Sequence, residues 1–193
     1  MIKLKDKKII EILWLSRGGQ GAKTAALLFG QAALAQGYYV QVFPEYGPER
    51  SGAPMRVYTR ISDRFIRFRT PIKKPDIIIV LDTTLLKGQV SDLFNLPATF
   101  LINSAQDSSL LKKEQGIKGQ VSTLDASKIA LRYLGKPIPS IVMLGALMGL
   151  LNFYFKKVKP ELENRLAEKI GTGLVPSNIK AIYHSYKIIT KEG

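Results

Sequence analysis

The sequence predicts an α/β domain on a mostly parallel sheet, and three observations predict it. An apolar run from Ile9 to Leu15 passes directly into the turn Gly18-Gly19-Gln20-Gly21, which opens an alanine-rich segment. A second run, within Pro75 to Asp82, has the continuous apolar character of a buried parallel strand. Helix-length segments then fill the C-terminal third. Together they predict a Rossmann-like α/β fold: a mostly parallel sheet, an antiparallel hairpin insert and a helical C-terminal third. At 193 residues the chain is expected to form one domain with a sizeable core.

The elements follow in order. Ile9 to Leu15 reads as a buried strand, and Ala22 to Gln36 as a largely buried helix with few polar positions. Gly37 stands where a glycine would stop that helix. Tyr38 to Phe43 then completes a βαβ unit. Pro44 to Pro54 is dense in turn residues and reads as a loop. Met55 to Ile61 and Phe65 to Arg69 read as a β-hairpin around Ser62-Asp63. Alternation places Arg56, Tyr58 and Arg60 on one side of its first strand, giving either a charge-protected sheet edge or a basic binding face.

Further on, Pro75 to Asp82 is a strand, Thr83 to Leu96 a helix, and Ala98 to Asn103 another strand. Leu110 to Val121 reads as a polar loop with a short strand. Asp125 to Leu134 is a helix with Asp125 at its N-cap. Ser140 to Phe155, Glu161 to Ile170 and Ser177 or Asn178 to Ile189 are the remaining helices. Ser140 to Phe155 is strongly apolar but shorter than the roughly 20 residues of a membrane span, so a buried helix is expected. With no apolar signal core at its N-terminus, the chain is expected to be cytoplasmic and away from membranes.

Composition narrows the chemistry. The chain has no cysteine, which excludes disulfides, thiolate zinc sites, cysteine-ligated clusters and cysteine nucleophiles within it. A single histidine, His184, argues against a self-contained Ser-His-Asp site; helix surface or interface is the expected role of this residue. The net charge is +14, from 29 Lys and Arg against 15 acids, with the cations scattered along the chain. An acidic partner subunit, an anionic cofactor and a lysine-rich thermophile surface all compete with nucleic acid as its cause, and nucleic acid is not the expected partner.

The glycine turn opens a helix whose first N–H groups have no partner within the helix and carry the positive end of its dipole. A phosphate cradle and a tight turn needed for packing alone both fit. A nicotinamide fingerprint requires Ser16 in place of its first glycine, and a Walker A loop is absent although Lys23-Thr24 follows closely. Three strand ends carry polar groups, at Ser16-Arg17, Asp82-Thr83 and Asn103-Ser104, and ligands of open α/β sheets bind at such ends. Asp82 reads first as a cap for the turn that follows it.

Four stretches in order resemble one family. They are Gly18-Gly-Gln-Gly21 with its alanine-rich helix; Pro44-Glu-Tyr-Gly-Pro-Glu-Arg-Ser-Gly-Ala-Pro54 followed by Tyr58-Thr-Arg-Ile-Ser62; the strand Pro75 to Asp82; and Val142-Met-Leu-Gly-Ala-Leu147. They resemble the gamma subunit, or gamma domain, of the pyruvate and 2-oxoacid:ferredoxin oxidoreductases, where glycine usually stands at the position of Ser16. The resemblance implies a hetero-oligomeric oxidoreductase that decarboxylates a 2-oxo acid, passes electrons to ferredoxin and transfers the acyl group to coenzyme A. It implies that thiamine diphosphate and iron–sulfur clusters lie in partner subunits, and that this chain serves assembly and the coenzyme A site without a catalytic centre of its own. The residues carried over are Arg17, Gly18, Gly19, Gln20, Gly21, Lys23, Arg50, Ser51 and Gly52. Backbone N–H groups of the first loop and the Arg17, Lys23 and Arg50 charges suit a pyrophosphate and a 3′-phosphate. Tyr46 suits either adenine stacking or a subunit interface. From the residues alone, a stand-alone Rossmann-like nucleotide-binding enzyme and a basic nucleic-acid-binding module are the rival readings.

Overall fold

Branched apolar residues form the centre of the structure because they pack well on both faces of a pleated sheet. The computed structural model describes residues 8–45, 52–87 and 90–192. Its strands are β1 (Ile9–Arg17), β2 (Tyr39–Pro44), β3 (Pro54–Ser62), β4 (Ile77–Val80), β5 (Thr99–Asn103) and β6 (Gln120–Leu124). They form one sheet in the order β2-β3-β1-β4-β5-β6. β1, β4, β5 and β6 are parallel neighbours, while β3 runs against both β1 and β2. The α/β class, the mostly parallel sheet, the antiparallel insert and the helical C-terminal third are all present.

The insert is built differently from the hairpin read in the sequence. β3 slides between β1 and β2, so the βαβ unit of β1, helix α1 (Ala22–Ala35) and β2 encloses an oppositely directed strand. Residues 65–69 are not a strand. Their alternation of Arg and Phe mimics one, but their carbonyls are taken by side chains. The Gln41 amide donates to Ile66 O and Phe68 O, and Arg60 Nη2 donates to Thr70 O at 2.8 Å. β3 is therefore no sheet edge, and Arg60 is fully buried. Its guanidinium meets Glu11 Oε1 at 2.7 Å and Gln41 Oε1 at 3.0 Å, with the Phe68 ring over it at 4.7 Å. A buried charge of this kind is tolerated only when so completely paired.

Alternation along β1 sorts the core. Ile10, Ile12 and Trp14 face one cluster with helix α1, helix α3 (Ala126–Leu134), helix α4 (Pro139–Leu150), helix α5 (Phe155–Ile170) and helix α6 (Val175–Glu192). Leu13 and Leu15 face a second cluster with helix α2 (Ser108–Gln115) and two short 3-10 turns, Thr83–Leu86 and Ser91–Asn95. Trp14 is wholly buried, as expected, and its Nε1 donates to Thr59 Oγ1 at 3.1 Å. The two short turns replace the helix expected over Thr83 to Leu96; Thr83, Thr84 and Gly88 are all poor helix formers. Conversely, α2 occupies part of the expected loop. Asp107 caps it by accepting from the Ser109 and Leu110 amides, and left-handed Gly116 ends it.

The C-terminal helices are anchored by α4, all twelve of whose residues are buried. It stops at Leu150, short of the expected Phe155, and Asn152 adopts φ 53 in the connection to α5. Exposed Lys156, Lys157 and Lys159 lie near the start of α5. Among the described residues no single helix is long and apolar enough to cross a membrane. α6 lies against α4 so closely that a Cβ at Gly145 would overlap the Ile182 carbonyl oxygen and Ser185 Oγ, and one at Gly149 would come within 2.8 Å of Tyr186 O.

Gly145→Ala should therefore destabilise the chain by about 1–3 kcal/mol, as overpacking does. That lowers the thermal midpoint by roughly 2–4 °C per kcal/mol. Gly173→Ala, whose Cβ meets nothing, should stay within about 0.5 kcal/mol of the parent. Thermal unfolding of the two variants checks the close approach, and equal midpoints would contradict it.

Candidate functional site

β1 ends at Arg17, and the antiparallel register of β3 sets Pro54 beside it. This pairing carries the end of the Pro44 to Pro54 loop to the glycine turn. Gly18 N donates to Ala53 O at 2.8 Å, and Gly52 N donates to Gly18 O at 3.2 Å. Gln20 closes the turn on itself: its amide donates to Arg17 O, and its Oε1 accepts from Arg17 N at 2.8 Å.

The two reasons for glycine separate here. Gly19 has φ 92, is exposed and would meet nothing with a Cβ, so only its backbone conformation requires glycine. Gly21 has φ 84, and its Cβ would lie 2.6 Å from Ser140 Oγ at the start of α4. There the turn serves packing between two helix N-termini. No side chain caps α1 at Gly21, and no acid lies in its first turn. Lys23 is exposed in that turn. Buried Ser16 has an Oγ with no hydrogen-bond partner among the described residues.

Arg17 joins three segments. Its Nε donates to Asp82 Oδ2 at 3.1 Å, its Nη2 to Thr84 Oγ1 at 2.7 Å and its Nη1 to Gly52 O at 3.1 Å. Gln20 Nε2 donates to the same Asp82 oxygen at 3.0 Å. Asp82 also caps the following 3-10 turn, accepting from the Thr84 amide and hydroxyl. Burial alone would raise the Asp82 carboxyl, but Thr84, Gln20 and the Arg17 charge outweigh it and hold it below the ordinary carboxylate value.

Beside this network lies a polar crevice of about 430 Å³ at the carboxyl ends of β4, β5 and β6. Gln20, Asp82, Asn103, Ser104 and Ser127 line it, with Pro137 and Pro139 at its side. Asn103 fixes its floor: Nδ2 donates to Leu81 O and Ser127 Oγ, both at 2.9 Å, and Oδ1 accepts from Ser127 N. The crevice lies where the chain switches faces, α1 leaving β1 on one side and the 3-10 turns leaving β4 on the other.

The structure thus brings Arg17, Gly18, Gln20 and Gly52 together, sets Gly19 and Lys23 outward nearby, and packs Gly21 against α4. Arg50, Ser51 and Tyr46 lie outside the described residues. Asp82 was legible as a cap from Asp-Thr-Thr, but its tie to Arg17 and Gln20 was not. The Asn103–Ser127 bond joins residues distant in sequence and had no local signal. His184 lies between helices, its Nδ1 3.4 Å from Tyr133 Oη. Among the described residues no cluster of three or more His, Asp or Glu side chains could hold a metal ion.

The Asp82 network has a pH signature. A carboxyl lowered in the fold contributes stability above its unfolded value, near 3.8, and loses it as pH falls through the folded value. Asp82→Asn should cost about 1–2 kcal/mol at pH 7, allowing for partial solvent screening. The gap from the parent should narrow as pH falls below the unfolded value, near 3.8. Urea unfolding of both proteins at pH 7 and at pH values stepped down through 3.8 checks this; a gap independent of pH would contradict an ionised Asp82.

Residues 11–188 match the family described as pyruvate ferredoxin/flavodoxin oxidoreductase. The chain is 37% identical over 182 residues to the pyruvate synthase subunit PorC of Thermotoga maritima, covering 94% of this chain and 95% of that protein. It is 39% identical over 182 residues to the pyruvate/ketoisovalerate oxidoreductases common subunit gamma of Pyrococcus furiosus, covering 93% and 96% of the two chains. The crystal structure of the Thermotoga maritima pyruvate oxidoreductase subunit PORC superposes with a TM-score of 0.79 at 34% identity, over 94% of this chain and 97% of that one. The chain belongs to the pyruvate ferredoxin/flavodoxin oxidoreductase family, among its gamma-type members.

Proposed function

We propose that this chain is the gamma subunit of a multi-subunit 2-oxoacid:ferredoxin oxidoreductase and that its strand-end rim binds the phosphates of coenzyme A. The overall reaction converts a 2-oxo acid, coenzyme A and two oxidised ferredoxins to an acyl-CoA, carbon dioxide, two reduced ferredoxins and a proton. Thiamine diphosphate and the iron–sulfur clusters belong to partner subunits in this reading. A chain without cysteine offers no thiolate to a cluster.

The observation that carries the reading is the bonding of the glycine turn to Gly52 and Ala53 beside an uncapped helix N-terminus. Such a rim suits a pyrophosphate, with the Gly19 backbone and Lys23 on its outer side, and Arg50 and Ser51 directly precede Gly52 in the sequence. Arg17 acts as a positioning residue, because its guanidinium already holds Asp82, Thr84 and Gly52 in place. The crevice past Asp82 gives the rest of the molecule a polar, pre-formed wall.

In the assembled enzyme, Lys23→Glu combined with Arg50→Glu should raise the KM for coenzyme A by about tenfold to a hundredfold, the loss expected for charge-assisted bonds to phosphate. Decarboxylation of the 2-oxo acid without coenzyme A should proceed at the parent rate. Steady-state kinetics and single-turnover release of carbon dioxide separate the two, and an unchanged KM would remove this rim from the coenzyme A site.

A further inference from the structure

Residues 63–74 form a strap across one face of β2 and β3. Its inner side is committed to the sheet: Gln41 holds the carbonyls of Ile66 and Phe68, and Arg60 holds that of Thr70. Its own Ile66 and Ile72 side chains are buried. Its outer side is unlike the rest of the surface. Arg64, Arg67, Arg69, Lys73 and Lys74 are all exposed, against the single acid Asp63 in this stretch. None of the five cationic side chains makes an ion pair among the described residues. Phe65 is 69% exposed and meets half-exposed Tyr39 edge to face, with ring centroids 5.8 Å apart.

From this we infer that the strap is a docking surface for an acidic face of a larger subunit of the same oxidoreductase, an inference that rests on the gamma-subunit reading. Exposed aromatic pairs flanked by arginine are the composition of protein interfaces, where rings bury area and guanidinium groups take carboxylates in pairs. A second copy of this chain does not suit the surface, since it would set like charges face to face on chains already carrying +14. A nucleic acid would use the cations but leaves the Phe65–Tyr39 pair at the sheet edge without a role. The bonds beneath the strap hold its backbone in place before binding, which reduces the ordering cost of association. The strap also lies at the opposite end of β3 from the rim, so docking there leaves the candidate site accessible.

The test uses the complete chain and the remaining subunits of the reconstituted enzyme. R64E/R67E/R69E should keep the parent thermal midpoint, weaken association at least tenfold and flatten its salt dependence. F65A should weaken association several-fold with the salt dependence retained. The control K156E/K157E/K159E makes the same charge change near the start of α5 and should bind as the parent does. If the strap variant binds as tightly as the parent, the docking surface is overturned while the gamma-subunit reading stands. Equal weakening by strap variant and control overturns it too, because total charge would then be the cause. If the parent chain binds none of these subunits, the gamma-subunit reading itself fails. If the strap variant loses only affinity for a DNA or RNA duplex probe and retains subunit binding, the surface belongs to nucleic acid and the inference is wrong.

Discussion

The pairing of β3 with β1 is the constraint on which most of this structure depends. Nine residues of each strand run antiparallel in register, from Ile9 opposite Ser62 to Arg17 opposite Pro54. At one end the register brings Gly52 and Ala53 to the glycine turn. At the other it brings Arg60 to Glu11 and turns the chain back across the sheet as the strap. Because a one-residue slip turns every side chain to the other face, this register is strongly held. A slipped register would put Arg60 among the helices and Thr59 away from Trp14. The Trp14–Thr59 and Arg60–Glu11 contacts mark the two faces at once.

The rim is held in a different way, by short polar bonds that cross between segments. Arg17 is the hub: it touches the 3-10 turn after β4, the carboxylate that caps that turn, and the loop before β3. Such a hub fixes the donors of the rim in place ahead of any contact made there. The hub also changes the meaning of one arginine. Its charge is already compensated by Asp82, so among the described residues the positive field of the rim comes from Lys23 and the uncapped start of α1. Gly21 shows the same economy. It permits the turn and also the near contact with Ser140 that sets α4 beside α1.

Local pattern made much of this legible. The apolar run, the glycine turn and the alanine-rich helix follow each other along the chain, and each is decided by residues within a few positions. The burial of α4 was equally readable, since a helix apolar on all sides has no solvent face to offer. Asp125 at a helix start and Gly37 after a helix end are caps whose chemistry is local. Where local signals conflicted, the reading failed. Residues 65–69 alternate like a strand, but Gln41 and Arg60 claim their carbonyls. Residues 108–115 are polar enough to read as a loop, yet Asp107 and Gly116 cap them as a helix.

The sequence by itself determined the α/β class, the family and the place of the glycine turn at the end of the first strand, because periodicity, capping and motif spacing are properties of neighbouring residues. Only the tertiary structure decided that β3 lies between β1 and β2, that Arg60 is buried while Arg64, Arg67 and Arg69 face outward, and that Arg17 clamps the rim. Those outcomes depend on pairings between residues some 10 to 67 positions apart. Strand order, and with it which loops meet, is set by the burial of both sheet faces, a requirement that no single stretch of the chain records.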